Sequence, residues 1–213
     1  MTAGNKMNRS VTKGSGVCLI LASSSPRRSR ILNDLHVRFI TTKSGIEEVP
    51  RREEKPEAFV VRIAREKALK AASRYRKGLI LACDTVVVID GSILGKPKSM
   101  SDATRMLRSL NRRWHRVLSS ICLYDVKRQK LLSGYSVTKV KFKPMNEDEI
   151  RWYVHTREPL DKAGSYGIQK AGMLFIEKIV GSYTGVVGLP VELLGTLLKK
   201  MGVDILSLIR GPF

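Results

Sequence analysis

An α/β fold is what this sequence predicts, a twisted mixed sheet flanked by helices. Short apolar runs of strand character alternate with segments of helical period, and no internal repeat interrupts them. An Asp90-Gly91 pair directly after the longest such run marks a hairpin, so part of the sheet is antiparallel. The chain has 213 residues and is 43% hydrophobic, enough to bury a sizeable core as one domain or as two small lobes around a cleft.

Each element has a local reason. Residues 1–16 are polar and carry Gly and Ser, so a flexible leader is expected. They lack both the apolar stretch of about 7–15 residues of a secretory signal and the amphipathic Arg-rich helix of a transit peptide. A buried apolar strand is predicted over 17–22. A helix over 26–35 follows, with Ser25 as N-cap and Pro26 at the first helical position, where a missing N–H costs nothing. A short strand is expected over 38–42. Residues 56–75 read as a long helix with Val61, Ala64, Ala68 and Ala72 on one stripe. A strand over 79–89 runs into the Asp90-Gly91 turn. A helix is predicted over 101–110, then long strands over 114–124 and 131–142 joined by a polar turn. Asn146 and Glu149 form a capping box for a helix reaching about residue 156. A strand over 173–180 and an amphipathic helix over 189–201, stopped by Gly202, complete the alternation.

Charge is the one unusual global quantity. The 39 Lys and Arg against 19 Asp and Glu leave a formal charge of +20. Such a field draws in polyanions, whether nucleotides, nucleic acid or anionic lipid, without choosing among them. Lys139, Lys141 and Lys143 alternate with Val140 and Phe142, which puts the lysines on one strand face, either a solvated face or a protected edge. No aromatics interleave with them as a base-stacking platform requires, so nucleic acid is not the expected partner. No apolar run approaches the ~18–20 residues of a membrane span. Cys18, Cys83 and Cys122 sit singly in apolar runs without C-x-x-C spacing. That argues against a disulfide scaffold or a zinc site and fits a reducing compartment. His36, His115 and His155 make no ligand spacing and read as structural or surface residues.

Four stretches carry chemistry. In Leu21-Ala22-Ser23-Ser24-Ser25-Pro26-Arg27-Arg28 a strand runs into a helix start. Free backbone N–H groups there, with two arginines beside them, make a phosphate cradle without a glycine loop. Asp84 lies inside an apolar strand, where a carboxylate needs a partner or a task. Lys96, between Gly95 and Pro97, is a point charge on a fixed loop, suited to phosphate. Lys67 lies four residues after Ile63, toward the apolar stripe of its helix rather than opposite it. The polar, Gly-bearing stretch 158–169 reads as a long functional loop, and the Gln169 amide suits a base edge.

Taken together these stretches resemble the Maf family of nucleoside triphosphate pyrophosphatases. The matching pieces are L-A-S-S-S-P-R-R (21–28), G-I-E-E (45–48), A-R-E-K-A (64–68), A-C-D-T-V-V (82–87), L-G-K-P (94–97), E-P-L-D-K-A-G-S-Y-G-I-Q (158–169) and V-V-G-L-P (186–190). The resemblance implies a fold related to the inosine triphosphate pyrophosphatases, two lobes around a central cleft. It also implies a cytoplasmic, often dimeric enzyme that cleaves a nucleoside triphosphate to the monophosphate and pyrophosphate with a divalent metal. Residues 17–206 are then one catalytic domain, and 207–213 a C-terminal tail. Arg27, Thr85 and Gln169 match the positions by which one branch of the family selects dTTP and UTP. The family's association with septum formation adds a housecleaning and cell-division role. A basic protein that binds nucleotide or nucleic acid without turnover is the alternative.

On this reading Arg27, Arg28, Lys67 and Lys96, with the backbone around Ser23, Ser24 and Ser25, hold the phosphates. Glu48 and Asp84 hold Mg²⁺ or Mn²⁺, and Asp84 serves the attacking water. Two departures from the family pattern stand out. Residues 110–120 (Leu110-Asn111-Arg112-Arg113-Trp114-His115-Arg116-Val117-Leu118-Ser119-Ser120) lose a Gly and gain basic residues, and Lys170 replaces the Gly that usually follows Gln169. Both bear on substrate preference more than on the reaction.

Overall fold

The computed structural model describes residues 18–209, so the expected leader and the last four residues of the expected tail lie outside the described residues. Strand β1 (Leu19–Leu21) pairs in parallel with β2 (Phe39–Thr41) on one side and with β3 (Leu79–Ile89) on the other. The chain leaves β3 through Asp90 and Gly91, with φ of 49° and 75°, as a primed hairpin turn requires. It returns as β4 (Ser92–Leu94), antiparallel to β3 and too short to be read from sequence. β5 (Trp114–Asp125) pairs antiparallel with β3 and with β6 (Lys130–Phe142), which in turn carries β7 (Ile176–Val180). The order across this mixed seven-stranded sheet is β2-β1-β3-β5-β6-β7, with β4 beside β3. Helices α1 (Pro26–Asp34), α2 (Pro56–Ala72), α3 (Met100–Leu110), α4 (Glu147–His155), α5 (Tyr183–Val187) and α6 (Val191–Met201) flank it.

Several boundaries differ from the sequence expectation, each for a local reason. Ser25 occupies the N-cap of α1 but its side chain makes no capping bond; the Ser23 hydroxyl instead accepts from the Ser25 N–H at 3.2 Å. α2 ends at Ala72 rather than Tyr75, because the chain tightens into bonds from Arg74 to Ala71 and from Tyr75 to Ala72. Residues 173–175 belong to a 3₁₀ segment, Lys170–Phe175, and the strand begins only at Ile176. Apolar content alone does not separate these two conformations. α6 starts at Val191, after Pro190 in an extended N-cap conformation. β7 covers β6 over Lys139–Phe142, so this end of the strand is no edge; Lys139 lies on a solvated face while Val140 and Phe142 are buried. The stretch 158–169 is built largely from the short 3₁₀ turns Glu158–Asp161 and Ala163–Ser165. The capping box of Asn146 and Glu149 is present at the start of α4.

The period of two along β3 places the site. Leu79, Leu81 and Cys83 point into a core shared with α1 and α6. Ile80, Ala82, Val86 and Val88 point to the other face, under α2. Asp84 falls on that α2 face in the same alternation. Farther along, Val87 and Ile89 join a separate core with α3, α4, Phe142 and Tyr166. Two apolar clusters thus meet β3 from one side, and Thr85 lies between them. The cleft opens where one core gives way to the next.

Candidate active site

A cleft of about 670 Å³ opens there, within the size range of small-molecule sites. Every residue singled out from the sequence lines it: Ser23, Ser24, Ser25, Arg27, Arg28, Glu48, Lys67, Asp84, Thr85, Lys96 and Gln169.

The floor rests on α2. Lys67 is buried, with 6% of its surface exposed, because the helix packs flat on β3. Its Nζ lies 2.7 Å from Asp84 Oδ1 and 2.7 Å from Glu48 Oε1. A buried ammonium and a buried carboxylate, each costly alone, satisfy one another here. Burial pushes the Asp84 carboxyl above its ordinary value; Lys67 draws it back and Glu48 pushes it further up. For Glu48 burial also acts upward, but the positive charges of Lys67, Lys96 and Arg28 outweigh it and hold the group below its usual value.

Glu48 sits on the irregular stretch between β2 and α2, and α2 together with the turn that follows it anchors that stretch at both ends. Arg74 donates to the Lys43 carbonyl at 2.6 Å. Arg62 donates to both carboxylate oxygens of Glu54 at 2.7 Å and to the Val49 carbonyl at 3.0 Å. Glu54 is thereby held down at about 2 by its bond to Arg62. α2 therefore supplies both the cation that grips Glu48 and the Arg62 that stations its backbone, and Arg74 just beyond the helix adds the second anchor. Sequence reading missed Arg62 and Glu54, whose charges look like an ordinary solvated surface.

The second wall is the start of α1. Arg28 donates from Nε to the Gly188 carbonyl at 2.8 Å, from Nη1 to Ser23 Oγ at 3.0 Å and from Nη2 to Thr85 Oγ1 at 3.3 Å. Three of its five N–H donors are spent on three separate segments. Thr85 Oγ1 also meets Ser119 Oγ at 2.9 Å, and Ser119 donates to the Gly185 carbonyl. Gly188 has a φ of 122°, a backbone conformation that favours glycine.

The third wall is the 158–169 stretch, docked on the Lys96 loop by the bond from the Gly164 N–H to the Gly95 carbonyl. Asp161 accepts from Arg27 at 2.9 Å and from Lys162 at 2.6 Å, and all three line the cleft. Asp161 and Lys162 were visible as neighbours in the sequence, yet nothing there pairs Asp161 with a residue 134 positions away. Ser119 was also missed; a serine pair inside apolar β5 is the signal that could have found it. His115, read as structural, is buried away from the cleft, with Nε2 2.7 Å from the Tyr166 hydroxyl.

Comparison with known proteins places the chain among relatives. Residues 18–201 match the family described as Maf-like protein. A dTTP/UTP pyrophosphatase of Clostridioides difficile is 45% identical over 182 residues, covering 85% of this chain and 94% of the relative. A dTTP/UTP pyrophosphatase of Dictyoglomus turgidum is 41% identical over 189 residues, covering 88% and 98%. Among solved structures, the Staphylococcus aureus Ham1 protein superposes with a TM-score of 0.50 at 12% identity, over 86% of this chain and 99% of that one, a likeness of fold alone. With a family match over nearly the whole described chain, the chain belongs to the Maf-like protein family.

Proposed function

We propose that this protein hydrolyses dTTP and UTP to the monophosphate and pyrophosphate, within one catalytic domain spanning 17–206. Relatives of that name, aligned over most of both chains, support the reaction. The single observation that carries it is Lys67 joining Glu48 and Asp84 at the floor of a cleft also lined by Arg27, Arg28 and Lys96. That arrangement sets carboxylates for a water beside cations for a polyphosphate.

The chain's groups divide the work. Backbone N–H groups at the start of α1 and the side chains of Arg27 and Lys96 bind phosphate oxygens. Arg28, already bound to three segments, contributes its remaining donors and fixes Ser23 and Thr85. The water oxygen bonds to the α phosphorus, the bond from that phosphorus to the oxygen bridging to the β phosphate breaks, and pyrophosphate leaves with the electron pair. Asp84 takes the water's proton, its basicity raised by burial. Gln169 reads the base edge through its amide, with Arg27 and Thr85 shaping the surroundings.

The donor chemistry fits a divalent metal. Glu48 and Asp84 offer hard carboxylate oxygens, the kind Mg²⁺ or Mn²⁺ takes together with phosphate oxygens of a substrate. Among the described residues no cluster of three or more His, Cys, Asp and Glu forms a site. The two carboxylates would therefore share the ion with the nucleotide. When bound, such an ion neutralises phosphate charge and polarises the phosphorus centre.

We place the protein in the cytoplasm as a homodimer. Its three free cysteines support a reducing compartment, and among the described residues no helix is long and apolar enough to cross a membrane. Light scattering on the purified protein tests the dimer.

Product analysis tests the reaction. Purified protein with Mg²⁺ or Mn²⁺ is incubated in parallel with dTTP, UTP, CTP, GTP, ATP and 7-methyl-GTP. Monophosphate and pyrophosphate should appear fastest from dTTP and UTP. Orthophosphate with a diphosphate product would refute the assigned bond, and no release from any nucleotide would refute the activity.

A further inference from the structure

The loop that carries Gln169 continues into a lysine in an unfavourable conformation. Lys170 has a φ of 56°, in the left-handed region that glycine enters freely and a long side chain does not. Of the eight described non-glycine residues with positive φ, Lys170 alone lines the cleft. The acids near it on this wall are already satisfied. Asp161 accepts from Arg27 and Lys162, and Glu158 accepts from the Ala171 N–H at 3.1 Å and the Tyr153 hydroxyl at 3.1 Å. Lys170 itself is exposed and takes part in no ion pair among the described residues. A cation held in a strained backbone beside an open cleft, with no acceptor among the described residues, is placed to meet an acceptor on the ligand.

We propose that Lys170 is a specificity-determining residue whose ammonium donates to a carbonyl oxygen on the pyrimidine base edge beside Gln169; this deepens the pyrophosphatase reading and rests on it. Uracil and thymine present an N3–H donor next to the O4 acceptor. The Gln169 amide can accept from the first and donate to the second. O4 has a further lone pair, and the Lys170 ammonium supplies its donor. Cytosine carries an amino group at that place, so an ammonium there faces a donor with a donor. The lysine thus favours dTTP and UTP over CTP.

Steady-state kinetics on the full chain with dTTP, UTP and CTP test this in wild type, Lys170→Met and Lys170→Gly. Lys170→Met keeps bulk and strain but removes the charge; Lys170→Gly also relieves the backbone. In both, KM for dTTP and UTP should rise about tenfold, the size expected for one charge-assisted hydrogen bond, while kcat and the CTP constants stay put. Lys170→Gly should in addition melt higher than Lys170→Met. An equal rise of KM for all three nucleotides would move the lysine to the phosphates and overturn the proposal. An unchanged preference in both variants would overturn it as well. If wild type releases no pyrophosphate at all, the reaction reading has failed separately. Calorimetric binding of UTP and CTP to wild type and Lys170→Met then reads the same contact, and equal UTP affinity in the two proteins overturns it.

Discussion

Replacing Lys67 by Met should destabilise the fold by about 3–5 kcal/mol near neutral pH, the range found when one partner of a buried ion pair is removed. Met preserves the apolar stem, so the loss comes from the ammonium. Side-chain exposure divides the effect: Asp84 is 4% exposed and Glu48 46%. The exposed contact is worth at most about 1 kcal/mol, so nearly all of the cost is Asp84 left buried without a counter-charge. In a domain of this size each kcal/mol moves Tm by about 2–4 °C, which places the variant about 6–20 °C below wild type. The pH dependence has a definite sign. Asp84 already lies above its ordinary value through burial, and without Lys67 it climbs further. A carboxyl whose folded pKa exceeds its unfolded one contributes stability below the unfolded value and loses it as pH rises through the folded value. The gap between variant and wild type should therefore widen as pH rises above the ordinary carboxylate range. Urea and thermal melts by circular dichroism over that rise in pH provide the assay. Asp84→Asn introduced into the Met variant should recover most of the loss, because a neutral amide needs no counter-charge. A cost below about 1 kcal/mol, or one independent of pH, would refute the picture of a buried pair.

Asp84→Asn alone should lower kcat by at least about a thousandfold with the circular dichroism spectrum unchanged; wild-type turnover would remove Asp84 from the reaction. Arg62→Ala should raise KM and the metal concentration needed for half-maximal rate, and open residues 43–55 to limited proteolysis, since Arg62 anchors Val49 and Glu54 beside Glu48. Glu54 is held at about 2 against an ordinary 4.5, so its share of stability is present above about pH 4.5 and fades as pH falls toward 2. With allowance for solvent screening that share is about 1–2 kcal/mol, and acid titration of stability in Arg62→Ala should show it missing. Burial pushes the His115 ring down to about 4 from 6.5, so its contribution is present above 6.5 and lost as pH falls through 4. His115→Phe should flatten the stability curve between those values, while costing about 1–2 kcal/mol at neutral pH through the unpaired Tyr166 hydroxyl; an unchanged slope would show that His115 does not titrate in that window.

Much of the fold was legible because its signals are local. Pro26 at a helix start, Asp90-Gly91 in a hairpin, Asn146 with Glu149 as a capping box and the apolar run of β3 each act within a few residues. The errors fell where a local signal has two outcomes, as at 173–175, or where a neighbour decides. The solvated lysine face of β6 was readable, but whether the strand is an edge depends on β7, which arrives from more than 30 residues away.

The candidate site divides along the same line. Sequence alone singled out the residues, since a carboxylate inside an apolar strand and a lysine near an apolar helix stripe are anomalies that burial makes expensive. It determined, through the period of two in β3, that Asp84 and Thr85 face opposite sides. Tertiary structure decided what each meets. α2 lies on the Asp84 face, so Lys67 meets Asp84, and the α1 start lies near the Thr85 side, so Arg28 meets Thr85. It also decided that Arg28 is largely bound within the protein, that Arg27 shares Asp161 with Lys162, and that Arg62 fixes the chain beside Glu48. These pairings link side chains far apart in sequence through directional bonds of about 3 Å. Residue type and local period set a side chain's chemistry and face, whereas its partner depends on how whole elements pack.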